Sequence, residues 1–543
     1  MRLAIYGIVS VLMLLLASFI IYTQTDLLTF DEPKLSTQEV LPSPTRTTDD
    51  VLDYISEAQL KSETGDIFDV KIINGTFLNN EKRNYYGDKL PDSLQVIWRH
   101  RLGSGTTRVN GEVTWSGAGW TGQPLMVEEN GTKYLIQGAY DHHLKKITAD
   151  SGKLVWQYKF DDVLKGTGTL WINPNAPTLE EKLIIMQGSR WGGVPSHVAA
   201  PSYRAVSYFT GKELWRMGSV STRCYSRDVD ASCLVIRDTA YIGLENGFFT
   251  VFNPAKAQAI NKTTHYEPFI YKQSDTLYNP EDAAAHGGNL VTEASPTRLG
   301  NRIYIASGSG TVWGYNIQTQ TMDWAYKIGS DMDGSPVATS DSCLLIAVEK
   351  QFIKGKGGVL KIDPRKSPEQ ATVWYIPTED KRFADWLGGI IGSVSTNEAT
   401  KQASEPSIAA FTAIDGFLYV ININDTVANT RATLFDGVTK VATPRLLFKY
   451  ATGAAISTPI IIGNRLLALT YNGLYLFEHN GDYQYKLLAH SDIRGEATPF
   501  VDNGRIYVAS RDGYLYCLGN KPADQPTLTQ DPSAQPRPAK KRK

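Results

Sequence analysis

Apolar and polar residues alternate in short runs over most of the chain, and the runs are bounded by Gly, Asn or Asp. Alternation with period two marks strands that bury one face, and the bounding residues are those that tight turns demand. Helical spacing is nearly absent beyond the first 22 residues. One unit recurs: a small residue and Pro opening an apolar strand, a second strand ending near Gly, a third, and a fourth with an aromatic residue. Its clearest copy runs from Gln123-Pro124-Leu125 through Tyr134–Gly138 and Leu144–Asp150 to Leu154-Val155-Trp156. Ser295-Pro296, Ser335-Pro336, Thr458-Pro459 and Thr498-Pro499 open others. Trp98, Trp156, Trp215, Trp324 and Trp374 fall on fourth strands, with Phe269 or Tyr271, Phe448 and Tyr485 in the equivalent places. A unit repeated every ~45–60 residues buries its faces only against its neighbours, so the pattern predicts an all-β propeller of four-stranded blades.

Seven full units start near 122, 165, 228, 293, 334, 404 and 456. An eighth, from Glu496, offers three strands, while Leu94–His100 has fourth-strand character and no strand before it. Pairing that first strand into the last blade closes the ring and removes an open edge. The fold class is therefore an eight-bladed β-propeller (alternative seven) over residues 93–520, closed by 93–102, with an N-terminal transmembrane helix. The stretch Ala149-Asp150-Ser151-Gly152-Lys153-Leu154-Val155-Trp156, echoed by Phe209-Thr210-Gly211-Lys212-Glu213-Leu214-Trp215, resembles the quinoprotein-type propeller repeat. Eight-bladed quinoprotein alcohol dehydrogenases carry that repeat, and so does the non-enzymatic lipoprotein that assists outer-membrane barrel assembly. The resemblance implies a fold and leaves two kinds of function open.

Leu3–Tyr22 is an uncharged apolar run. It is long enough to cross the ~30 Å of a bilayer core, and longer than the apolar stretch of a cleaved signal peptide. Residues 1–22 are read as a signal anchor, with Arg2 before the span and Asp26, Asp31 and Glu32 after it, so the rest of the chain is expected outside the cytoplasm. Residues 23–92, rich in Thr and Pro at their start, read as a tether with little regular structure and a short helix around 50–61. Residues 521–543 read as a disordered Pro-rich tail ending in Lys540-Lys541-Arg542-Lys543.

Composition narrows the function. With 55 Lys and Arg against 56 Asp and Glu, the chain has no basic footprint for nucleic acid. Connections between fourth and first strands, and between second and third, emerge on one propeller face. Those at 102–121, 188–202, 272–290, 349–358 and 377–403 are long, whereas the opposite face has mostly tight turns, apart from 253–265 and 424–440. The long-loop face is the expected binding surface. Its candidates are Arg108, Trp115, Trp120, Asp141, His142, Arg190, Trp191, Arg227, Asp228, His286, Asp385 and Trp386. Trp and Arg are the usual anchors of protein interfaces. Adjacent His142 and His143 would point to opposite faces of a strand, so no metal site is expected there. Asp331, Asp333, Glu293 and Glu496 are expected to line the channel as solvated carboxylates. Four Cys include one close pair, Cys224 and Cys233, a possible disulfide.

Quinoprotein dehydrogenases typically hold a disulfide of neighbouring cysteines beneath the quinone, and this chain has no Cys-Cys. The reading is a membrane-anchored extracytoplasmic propeller acting as a binding or scaffold module for a protein or polysaccharide of the cell envelope, with no cofactor. The alternative is a dehydrogenase of an alcohol or sugar that uses pyrroloquinoline quinone (PQQ) and calcium.

Overall fold

A computed structural model describes residues 54–520. The expected anchor over 1–22, residues 23–53 and the tail from 521 lie outside the described residues. Among the described residues, no helix is long and apolar enough to cross a membrane.

The chain is almost entirely strand. Its basic unit is a four-stranded antiparallel sheet in sequential order, as in Leu125–Glu129, Thr132–Gly138, His143–Thr148 and Leu154–Lys159. The inner strands are buried at nearly every position, while the outermost alternates, because only the outermost has an edge in water. β3 (Gln95–Arg101) pairs antiparallel with Tyr514–Gly519, with Arg99 opposite Tyr516. The first strand of the repeat region thus completes the last sheet.

Two sequence signatures have a physical explanation in the joints between sheets. The small residue that opens each unit ties its sheet to the next. Ser232 N donates to Ser295 Oγ, Ser295 N to Ser335 Oγ and Ser335 N to Ser393 Oγ, each at 2.9 Å. Ser393 N then donates to Thr458 Oγ1 at 3.0 Å, and Ser457 Oγ to Ala497 O at 2.8 Å. Thr498 N reaches Gly122 O at 3.1 Å, Gln123 N reaches Thr167 Oγ1 at 2.6 Å, and Ser232 Oγ reaches Thr167 O at 2.7 Å. The result is a closed girdle of hydrogen bonds around the axis.

The fourth-strand tryptophans form the outer joints. Each indole N–H donates to a carbonyl of the following sheet: Trp98 to Ala149, Trp156 to Tyr208, Trp215 to Pro254, Trp324 to Lys366 and Trp374 to Ile423, at 2.8–3.1 Å. Gly152 and Gly211 are fixed by this contact. Both sit at positive φ, and a Cβ there would come within 3.0 Å of the indoles of Trp98 and Trp156.

The structure revises three sequence expectations. The sixth unit opens at Ser395–Thr396, not near 404; its girdle residue Ser393 is followed by Val394, and Pro follows only five of the eight girdle residues. The stretch 424–440, expected as a long loop, belongs mostly to a hairpin of Phe417–Thr433 and Lys440–Ala451, which meets the neighbouring sheet at Trp374 and Ala442. Residues 54–92, expected to have little regular structure, are built into the fold. β1 (Glu57–Lys61) takes the place of the expected short helix: Leu60 faces inward while Glu57 and Lys61 face out, and it pairs with β2 (Ile67–Asn74). β2 adds to the inner edge of the first sheet.

From Gly75 to Asp92 the chain crosses the end of the channel and touches every sheet in turn. Leu170 N donates to Gly75 O, Phe77 N to Ser232 Oγ, Arg298 N to Glu81 O and Ala338 N to Lys82 O. Thr396 N donates to Tyr86 Oη, Arg465 Nη1 to Leu90 O, Gly504 N to Lys89 O, and Leu78 N to Gln123 Oε1. Phe77, Leu78, Tyr86 and Leu90 of this plug pack with Ile460, Leu467 and Val501. At its centre Arg83 is fully buried.

Candidate functional site

The girdle fixes a register. Two residues before each girdle residue, a side chain falls at the mouth of the channel, opposite the plug: Thr121, Lys165, Asp230, Glu293, Asp333, Ile391, Ile456 and Glu496. One wall is charged and the facing wall is Ile.

Around this mouth the side chains form a closed circuit. Arg511 lies between the rings of Trp115, 5.7 Å away, and Tyr140, 4.9 Å away. Arg190 covers Trp115 at 5.5 Å and donates from Nε to Asp228 at 2.9 Å. Lys165 Nζ stands 3.3 Å from Asp228, 2.6 Å from Asp230, 3.9 Å from Glu245 and 5.4 Å from the Trp120 ring. Trp120 donates its indole N–H to Glu293 and stacks on Trp386 at 6.1 Å. Trp386 stacks on Phe383, Phe383 meets Tyr471, and Tyr471 Oη donates to Glu496, which also takes Arg511 at 2.9 Å.

Of the four carboxylates expected to be solvated, Asp331 is buried, and Asp333, Glu293 and Glu496 are half-buried. Asp228, Asp230, Glu245, Asp331 and Glu349 are each under 8% exposed. Burial works against the charge of Lys165, but Asp230, Glu245, Asp228 and Glu293 outweigh it and hold its pKa well above that of an ordinary lysine. Burial pushes Asp230 up to about 7, with Lys165 opposing and Glu293 adding. Burial, then Asp331 and Glu293, push Glu349 up to about 9.

The unfolded carboxyls ionise near ~4, so between that pH and these raised values the native state holds protons the unfolded chain has released. Their contribution to stability is full below pH ~4 and is lost as pH rises through 7 and 9. Glu349→Gln is therefore expected to gain thermal stability relative to the parent chain from pH 5 to pH 9, as followed by calorimetry at both pH values.

Of the residues singled out from sequence, Trp115, Trp120, Arg190, Asp228 and Trp386 belong to this circuit. Trp191 joins it through its backbone N–H on Asp228, at 3.1 Å, and lies under Arg227 at 4.6 Å. Arg227 itself is buried and spends its guanidinium on the carbonyls of Val194, Pro195 and Val198, which pins a loop. His142 is held on Thr106 O at 2.9 Å, and Asp141 pairs with Lys145. His286 ends the helix α1 (Pro280–His286), is bound to Gly308 O at 2.7 Å and stacks on Phe352. Arg108 and Asp385 are exposed on hairpins.

Cys224 and Cys233 are unbridged. Cys224 packs with Tyr278 and Leu290, whereas Cys233 lies in a separate core beside Met186. Lys165, Glu245, Glu349, Phe383, Tyr471 and Arg511 were not singled out from sequence; for Lys165, the girdle register was the available signal.

Sheets joined by this girdle and by the indole contacts make the chain a β-propeller of quinoprotein-type repeats. The sequence matches the family described as "Outer membrane protein assembly factor BamB" over residues 91–374, more than half of the chain, and the chain belongs to that family. A BamB of Moranella endobia (strain PCIT) is 24% identical over 238 residues, 41% of this chain and 50% of that protein. The chain thus spans half the length of this curated relative. Among solved structures, BamB from Moraxella catarrhalis is 15% identical with a TM-score of 0.45, covering 78% of this chain and 98% of that one. Quinohemoprotein alcohol dehydrogenase from Comamonas testosteroni is 13% identical with a TM-score of 0.48, covering 84% and 82%.

The mouth does not fit PQQ and calcium. Asp230, Glu245 and Glu293 offer oxygens within 4.8 Å of one another, but the Lys165 ammonium stands among them, where a calcium ion would meet its charge.

Proposed function

We propose that this protein is a membrane-anchored, extracytoplasmic, eight-bladed propeller that acts as a binding or scaffold module for protein partners in the cell envelope. The eight-blade reading is supported by the four-stranded units joined in the girdle and by β3 pairing with Tyr514–Gly519. The relative named as an outer membrane protein assembly factor supports the extracytoplasmic setting and a role in assembling membrane proteins. The observation that carries the binding role is the difference between the two ends of the channel. The plug fills one end; the other presents Trp115, Trp386, Arg190 and Arg511, with Tyr225, Phe352 and Leu387 exposed on the loops around them. Aromatic and Arg side chains are enriched at interface hot spots.

A photo-crosslinking amino acid at Tyr225 or Leu387 should capture envelope proteins in cells. The same residue at Asn130 or Asn503, in turns of the opposite face, should not. Equal capture from both faces, or none from the mouth, would remove the basis for this role.

A further inference from the structure

The mouth has an unequal charge balance. Lys165 answers Asp228, Asp230 and Glu245, but among the described residues no ion pair reaches Asp331, Asp333 or Glu349. Among the described residues, four buried carboxylate oxygens at the mouth have no hydrogen-bond partner: Oδ1 and Oδ2 of Asp230, Oε1 of Glu245 and Oδ1 of Asp331. Lys165 forms ion pairs with Oδ2 of Asp230 and Oε1 of Glu245, while Oδ1 of Asp230 and Oδ1 of Asp331, on residues each 7% exposed, have neither. Asp230 lines a cavity of about 20 Å³ with Glu293, Asp333, Ser295 and Ser335, bounded by Phe77 of the plug and by Trp120. That volume holds one water-sized group. Ile391, Ile414 and Ile456 pack against Trp120 and Trp386 along the facing wall.

We propose that the channel mouth binds an alkylammonium group, its head between Glu293 and Asp333 and its stem along Ile391 and the Trp120–Trp386 pair. The molecule already holds such a group once: Lys165 lays its ammonium against Asp230 and within 5.4 Å of the Trp120 ring. A primary ammonium carries three N–H donors for the carboxylates, and the indole faces favour a cation. Calcium takes six to eight oxygens around it, and a wall of Ile supplies none. The group could be a free amine or a lysine side chain of a partner protein; the chemistry is the same. This inference stands apart from the scaffold role and does not require it.

The test is titration calorimetry of the full-length chain with pentylamine, pentan-1-ol, calcium chloride and a capped Gly-Lys-Gly peptide. Saturable binding of one pentylamine is expected, without detectable binding of the alcohol. Glu293→Gln and Asp333→Asn are each expected to weaken pentylamine about tenfold or more, the equivalent of ~1.4 kcal/mol. Melting temperatures at or above that of the parent chain confirm folding, and if one variant does not fold the other serves alone. Peptide binding within about tenfold of the amine would assign the site to a protein side chain; amine binding alone would assign it to a small molecule. The inference is overturned if the alcohol binds as well as the amine, if both folded variants keep full affinity, or if calcium displaces the amine.

Discussion

Arg83→Ala is expected to lower the stability of the folded chain by about 3–5 kcal/mol, seen as a large drop in the thermal unfolding midpoint. Arg83 is fully buried, and among the described residues its guanidinium forms no ion pair. Its guanidinium donates instead to Pro296 O at 2.8 and 3.0 Å, to Phe77 O at 2.7 Å, to Thr76 Oγ1 at 2.8 Å and to Ser232 O at 3.4 Å. Burial pulls its pKa down to about 10, so the group remains a cation at neutral pH. Truncation would leave these carbonyls without donors in a dry site and open a cavity the size of the side chain. Arg83→Lys should recover only part of the loss, since one ammonium cannot span the same fork of acceptors. A midpoint unchanged in Arg83→Ala would mean that the plug contributes little to holding the sheets together.

Lys165→Met should produce a loss of similar size that grows with pH. The substitution keeps the stem of the side chain and removes the ammonium that, among the described residues, pairs with Asp230 and Glu245. Removing one partner of a buried ion pair costs about 3–5 kcal/mol when the other must remain charged. At pH 5 the carboxyls can take up protons and limit the damage; at pH 8 that protonation itself is costly. Calorimetric melts should therefore separate the variant from the parent chain more at pH 8 than at pH 5. Adding Asp230→Asn should restore part of the difference, because a neutral amide needs no counter-charge. A loss independent of pH would mean that Lys165 acts through packing and not through its charge.

Much of the scaffold was readable in the residues because its joints are made by particular side chains. The Ser-Pro and Thr-Pro openings mark girdle positions, and the spaced tryptophans mark where one sheet docks on the next. The plug was hidden for a physical reason. Its partners are mainly backbone groups at the ends of inner strands, so it carries Gly75, Thr76, Asn79 and Arg83 in place of an alternating apolar pattern. The sixth opening was misplaced: Gly392-Ser393-Val394 has the girdle hydroxyl without the Pro, as do Thr167-Gly168 and Ser232-Cys233, so Pro alone does not mark every joint.

At the mouth, residue type alone found Trp115, Trp120, Arg190 and Trp386, since large aromatics and Arg on loops are uncommon without a contact to make. The same criterion also selected Arg227 and His142, whose polar atoms are spent on nearby carbonyls. Asp331 and Asp333 were recognised as channel residues but expected to be solvated. Asp331 is buried and Asp333 half-buried where plug and loops close over the ring, which no local pattern records.

Hydrogen–deuterium exchange of the segment Gly75–Leu90 in the full-length chain tests most directly whether the N-terminal segment is the floor of the channel. Its amides, and those of Gln95–Arg101, are expected to exchange as slowly as the inner strands Leu183–Gly188 and Leu344–Val348, opening only with global unfolding. Exchange of Gly75–Leu90 within seconds, while those inner strands stay protected, would contradict the plugged channel and return the segment to the role of a tether.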